Sequence, residues 1–137
     1  MAFELHPQLA ADSYAMGNMA HCAIQLVRDS RFLWLLAVPR YENCREWHAL
    51  PPKVAGEVFQ EVVALATWAE AYSGADKMNI AALGNQVPQL HIHIVARHVG
   101  DAAWPNPIWG SGSMQPYAED QRMEISAALK SALALAD

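Results

Sequence analysis

Residues 84–97 read Gly84-Asn85-Gln86-Val87-Pro88-Gln89-Leu90-His91-Ile92-His93-Ile94-Val95-Ala96-Arg97. In a strand, residues two apart share a face, so Gln89, His91 and His93 line one side while Leu90, Ile92 and Ile94 pack on the other. Three nitrogen-bearing side chains then form a stripe. Imidazole is the side chain whose ordinary pKa suits it near neutral pH to act as nucleophile, proton carrier or metal ligand, which makes this stripe the place to look for chemistry. The bare His-Ile-His string leaves three readings open: two zinc ligands, a nucleophile or phosphate site, and an unreactive surface pair.

Upstream, Lys77 to Leu83 reads as a strand, Gly84-Asn85-Gln86 as a turn, and Pro88 to Arg97 as the returning strand of a hairpin. Val54, Val58, Phe59, Val62, Leu65, Ala66, Ala69 and Tyr72 recur at spacings of three and four. With Pro51-Pro52 before them and Ser73-Gly74 after, they predict a long amphipathic helix. Phe32 to Val38 is apolar at every position and stops at Pro39, the pattern of a central strand covered on both faces, with Trp34 in the core. Cys22 to Val27 alternates loosely and predicts another strand, whereas the residues before it read as a polar stretch. Downstream, residues 98–116 are rich in Gly, Pro and Trp without periodicity and predict an ordered loop. A last helix, from about Tyr117 to Ala136, offers Ile125, Leu129, Ala132 and Leu133 as its packing face.

The chain has 137 residues, enough for one domain over 1–137 with a single core. It is 53% hydrophobic and 17% charged, and no apolar run approaches the ~20 residues that span a bilayer. A membrane partner is therefore not expected. The net charge of −5 argues against a general nucleic-acid surface, while leaving room for a small anionic ligand held by backbone N–H groups. Met1 to Ser13 carries Glu4 and Asp12 and no basic cluster followed by an apolar block, so a cytoplasmic location is expected. Cys22 and Cys44 are accordingly read as reduced thiols.

The strand ending in Val38-Pro39-Arg40, the long helix, the Gly84-Asn85 turn and the alternating histidines together resemble the histidine triad (HIT) superfamily of nucleotide hydrolases and transferases. The resemblance is strongest over 20–110. The family motif has three histidines alternating with apolar residues, and here the second and third fall on His91 and His93 while Gln89 occupies the first position. Leu83-Gly84-Asn85 with Val87-Pro88-Gln89-Leu90-His91, and Ala103-Trp104-Pro105 with Trp109-Gly110, resemble strings of bacterial members having Gln there, so Gln89 is read as a subfamily trait.

The resemblance implies an α+β, HIT-like fold: an antiparallel sheet of about five strands, one long helix and a C-terminal helix, commonly in a homodimer. It also implies a purine nucleotide or nucleotide conjugate as ligand. The implied reaction cleaves the α-phosphorus linkage of a nucleoside phosphoramidate or dinucleoside polyphosphate through a nucleotidyl-histidine, with no cofactor and no metal. His91 is the implied nucleophile, with His93 and Gln89 flanking it. Asn85 and Gln86 in the turn, and Asn79 on the neighbouring strand, are candidate phosphate contacts. The resemblance further assigns Asp29 to the ribose and Trp104 to an aromatic wall that some relatives lend to the neighbouring subunit. Ile24, Leu26 and Val27 are candidates to bound the base.

Two alternatives stand beside this reading. One is a nucleotide-binding module without turnover, with Gln89 marking an altered site. The other is a zinc-dependent hydrolase, which needs a third ligand such as His98, His48, Cys44 or Cys22. His6, His21 and His48 have no pattern around them and read as surface or structural; His98, which follows the strand, reads as structural with the pocket rim as the alternative.

Overall fold

A computed structural model describes residues 3–137. A short helix α1 (Pro7–Asp12) leads into strands β1 (Ser13–Asn18), β2 (Cys22–Val27) and β3 (Leu33–Pro39). A 3-10 turn at Trp47–Ala49 precedes the long helix α2 (Pro52–Ser73), and strands β4 (Lys77–Ala81) and β5 (Ile92–Arg97) and helix α3 (Glu119–Leu133) follow. The five strands form one antiparallel sheet in the order β1-β2-β3-β5-β4. The architecture is the α+β arrangement expected, with β3 at the centre.

Helix α2 starts where Pro52 occupies its first turn and stops at Gly74, whose φ of 67° allows a left-handed cap with its N–H on the Glu70 carbonyl. Its packing stripe is narrower than expected. Val58, Val62, Leu65 and Ala69 are buried, but Phe59 and Tyr72 are exposed. Glu61 is buried instead, its carboxylate accepting the backbone N–H groups of His21 (2.9 Å) and Cys22 (2.9 Å) at the start of β2. In α3 Leu129 is buried and Ile125 and Leu133 lean on the core, whereas Ala132 faces solvent.

The N-terminal stretch holds structure the polar composition hides. β1 pairs with β2 through a bulge between Ala15 and Gly17, and an irregular strand of this kind carries no clean alternation. Gly17, at φ 121°, lies against the C-terminal tail, where an added Cβ would fall 2.7 Å from the Ala136 carbonyl. There Asn18 and Ala136 exchange both backbone hydrogen bonds.

The expected tight hairpin is looser. β4 ends at Ala81 and β5 begins at Ile92, so residues 82–91 form an open connection that turns at Gly84 (φ 67°). Its last part is held by the Leu90 N–H on the Cys44 carbonyl (2.9 Å). Cys22 and Cys44 are free thiols. Among the described residues, no helix is long and apolar enough to cross a membrane.

The sheet is covered on both sides. On the α2 side, Ile24, Leu26, Leu35, Ala37, Ile92 and Ile94 join the helix in the main core. On the other side, Val27, Leu36 and Val38 pack under Leu9 of α1, and Val95 packs with Phe32 and Ile108. The histidines belong to this second side.

Candidate active site

His91 immediately precedes β5 and His93 is its second residue, so their side chains leave the sheet on one face, as the alternation requires. Their ring centroids are 5.1 Å apart. Each is only 7% exposed, so the stripe lies under a cover and not on a solvated surface. They line a cavity of about 650 Å³ bounded by α1, by Val27, Trp34 and Leu36 of the sheet, by residues 83–87, and by the loop carrying Ile108, Trp109 and Gly110.

The hydrogen bonds fix where each imidazole carries its proton. His91 Nδ1 lies 2.6 Å from the Gln89 carbonyl oxygen, which only accepts, so Nδ1 bears the hydrogen and Nε2 keeps its lone pair. His93 has the opposite arrangement. The indole N–H of Trp34 (3.0 Å) donates to His93 Nδ1, with that of Trp109 at 3.4 Å, so Nδ1 is the acceptor and the ring proton sits on Nε2. Burial, and then the neighbouring His91, push the His93 pKa down from 6.5 to about 4. The site therefore pairs two imidazoles of opposite tautomer, one offering a lone pair and the other an N–H.

Gln89 is placed differently from expectation. Its carbonyl orients His91, but its side chain turns to the N-terminal segment, where Oε1 accepts the His6 N–H (2.8 Å) and Nε2 donates to the Glu4 carbonyl (2.9 Å). The amide is engaged outside the cavity because its two hydrogen-bonding functions are both met there.

Asn85 and Gln86 line the cavity, next to Gly84, where an added Cβ would approach His91 Cε1 at 3.9 Å. Asn79 does not. Its Oδ1 accepts from Arg97 Nη1 (2.9 Å), in a buried network where Arg97 also makes a two-pronged pair with Asp101 (2.8 and 3.0 Å). The Arg97 guanidinium and backbone N–H donors of His98, Ala103 and Trp104 hold the Asp101 carboxyl well below the usual range. Trp104 belongs to this network too: its N–H donates to Asp101 and its ring lies against the Arg97 guanidinium, outside the cavity. His98 is not at the rim, since its Nε2 sits 3.0 Å from the Ser73 carbonyl.

Asp29 reaches the cavity wall with a carboxylate already committed. It accepts from Arg31 Nε (3.0 Å) and Nη2 (2.8 Å) and from the backbone N–H groups of Arg31 and Gln115. Burial pushes its pKa up, but those donors and the Arg31 charge outweigh it and leave the group below its ordinary value. Arg31 in turn donates to the Ser111 carbonyl (3.0 Å), tying the pair to the loop. Of the apolar candidates, Val27 lines the cavity, while Ile24 and Leu26 face the opposite core.

Trp34, His6, Arg31 and Trp109 are among the cavity residues that the sequence does not single out. Trp34 looked like core because every residue of its strand is apolar, yet it shares the histidine face, its neighbour Leu36 pairing with His93 across the sheet. No three His, Cys, Asp or Glu side chains come together as a metal site among the described residues.

The HIT domain family model matches residues 8–100. The chain is 40% identical to a histidine triad protein from Marinobacter aquaeolei, whose crystal structure superposes with a TM-score of 0.95 over 98% of both chains. Similar figures hold for a histidine triad protein from Bradyrhizobium japonicum, at 34% identity and TM-score 0.95 over 97% of this chain and 99% of that one. A third, from Sinorhizobium meliloti, gives 35% identity and a TM-score of 0.93 over 96% and 97%. No curated protein matches the chain significantly. A cavity built around alternating histidines, the family match and relatives of this likeness over nearly their full length lead to one conclusion: the chain belongs to the histidine triad, or HIT, family.

Proposed function

We propose that this protein is a nucleotide hydrolase or nucleotidyl transferase that cleaves the α-phosphorus linkage of a nucleoside phosphoramidate or dinucleoside polyphosphate, with His91 as nucleophile. The observation that carries this reading is the free lone pair on His91 Nε2, facing a covered cavity and aimed by the Nδ1–H bond to the Gln89 carbonyl. His91 Nε2 forms a bond to phosphorus as the bond to the leaving group breaks, and the leaving group departs with that electron pair and takes up a proton. Water then attacks phosphorus and gives up a proton to solvent, replacing the one the leaving group took from it, the N–P electrons return to Nε2, and a nucleoside monophosphate is released.

Charge gathers on the phosphoryl oxygens during both steps, and removing one preorganised donor to such oxygens typically costs about 3 kcal/mol of barrier. His93 supplies a neutral Nε2–H donor whose proton is fixed by the two indoles. Asn85, Gln86 and the backbone beside Gly84 supply further N–H groups from the connection. Asp29 acts at the ribose end by setting the orientation of Arg31. A purine nucleotide conjugate is the ligand class, and the exposed Phe59, Val63 and Ile80 around an apolar groove between α2 and β4 support a homodimer.

The test is turnover of a panel containing an adenosine phosphoramidate and a dinucleoside polyphosphate, with wild type and His91→Ala. Turnover lost only in the variant is the expected result. Nucleotide binding without any turnover by the wild type would replace the enzyme reading with that of a binding module.

A further inference from the structure

The carboxamide of Gln89 meets the N-terminal arm as one strand meets another. In an extended chain the C=O of one residue and the N–H of the residue two further on point the same way. Gln89 reads that pair, accepting from His6 N–H and donating to the Glu4 carbonyl. Phe3 and Leu5, on the alternate positions, pack against the second core. An imidazole at position 89 cannot make this two-point contact, because its donor and acceptor lie on opposite flanks of the ring.

The arm so held ends at His6, which lines the same cavity as His91 and His93. His6 is also the N-cap of α1, its Nδ1 accepting the Gln8 N–H at 3.0 Å. That bond puts the ring proton of the neutral form on Nε2, leaving a donor free for a ligand.

We propose that His6 is the third imidazole of the site, a phosphate-contacting N–H donor delivered by the N-terminal arm that Gln89 clasps. The glutamine at the first triad position then exchanges a histidine on the strand for one on the arm. This rests on the nucleotide reading of the cavity.

The experiment measures the affinity of AMP or GMP, whichever the wild type binds more tightly, by titration calorimetry for wild type, His6→Asn, Gln89→Glu and the double variant. Asparagine keeps the helix cap and the backbone bond to Gln89 while removing the imidazole. Glutamate keeps the acceptor for His6 N–H but cannot donate to Glu4. Loss of one hydrogen bond to a charged oxygen corresponds to an affinity loss of roughly tenfold or more. His6→Asn and Gln89→Glu are each expected to show it, and the double variant to lose no more than either, because both remove the same contact. As a second readout, the His6 ring resonance of the wild type should shift on nucleotide addition. Wild-type affinity in His6→Asn, additive losses in the double variant, or an unmoved His6 resonance beside a shifted His91 overturns the inference alone. A wild type that binds neither nucleotide overturns the reading of the site and this inference with it.

Discussion

On the α2 side of the sheet, Ile24, Leu35, Ala37, Ile92 and Ile94 meet Val58, Val62 and Leu65, with full burial throughout. On the other side, alternate residues of the same strands are Trp34, Leu36 and His93, facing a short helix, a loop and an arm instead of a long helix. The first side is a packing problem, solved by volume and shape. The second is a hydrogen-bonding problem, in which buried nitrogens each require a partner with defined polarity. One pair of interleaved patterns on the strands thus separates stability from chemistry, and substitutions on the two sides should have different consequences.

The largest effect belongs to His91. Removal of the nucleophile should lower kcat by about a thousandfold or more, with the circular dichroism spectrum and the urea midpoint little changed. Loss of folding in His91→Ala would place the histidine in the structural category and break the contrast. On the opposite side, Ile94→Ala should cost about 2–5 kcal/mol in urea unfolding, leaving KM for a nucleotide substrate near wild type in the folded fraction.

The pH dependence of stability sharpens the same contrast. His93 titrates at about 4 in the folded protein against an ordinary value of 6.5, so the unfolded chain binds more protons between those values. Its contribution is fully present above about pH 6.5 and is lost as pH falls towards 4, a change of order 3 kcal/mol. Urea unfolding at pH 7 and at pH 4.5 measures it, and a His93→Gln variant should show a flatter dependence. A smaller effect is expected from Trp34→Phe, which removes the nearer indole donor. The His93 pKa should rise towards its ordinary value, moving the acid limb of the kcat profile to higher pH, with kcat reduced by roughly tenfold. An unchanged profile would show that Trp34 only fills space.

The difference between the sides also explains what the sequence revealed. The alternation at Leu90 to Ile94, the uniformly apolar β3 and the Pro-to-Gly punctuation of α2 are local patterns, and each gave its element to within a few residues. His91, His93, Asn85 and Gln86 were legible because they lie in or beside one such pattern. The lid over them was not. Gln89 finds its partners at Glu4 and His6, and Trp109 reaches back to His93, through contacts that follow no period. Asn79 lies outside the cavity for a related reason: Arg97, buried and paired with Asp101, claims its side chain, and nothing in the spacing of those residues announces a salt bridge. β1 is hidden in the sequence because its bulge between Ala15 and Gly17 breaks the alternation by which strands are recognised.

Rapid acid-free quenching of the protein during turnover of a nucleoside phosphoramidate, followed by intact-mass analysis and peptide mapping, tests the role of His91 most directly. The expected result is a single added nucleoside monophosphoryl group on the peptide spanning residues 84–97, assigned by fragmentation to His91 and absent from His91→Ala. An adduct on His93 or His6, or turnover that continues undiminished in His91→Ala, would contradict it.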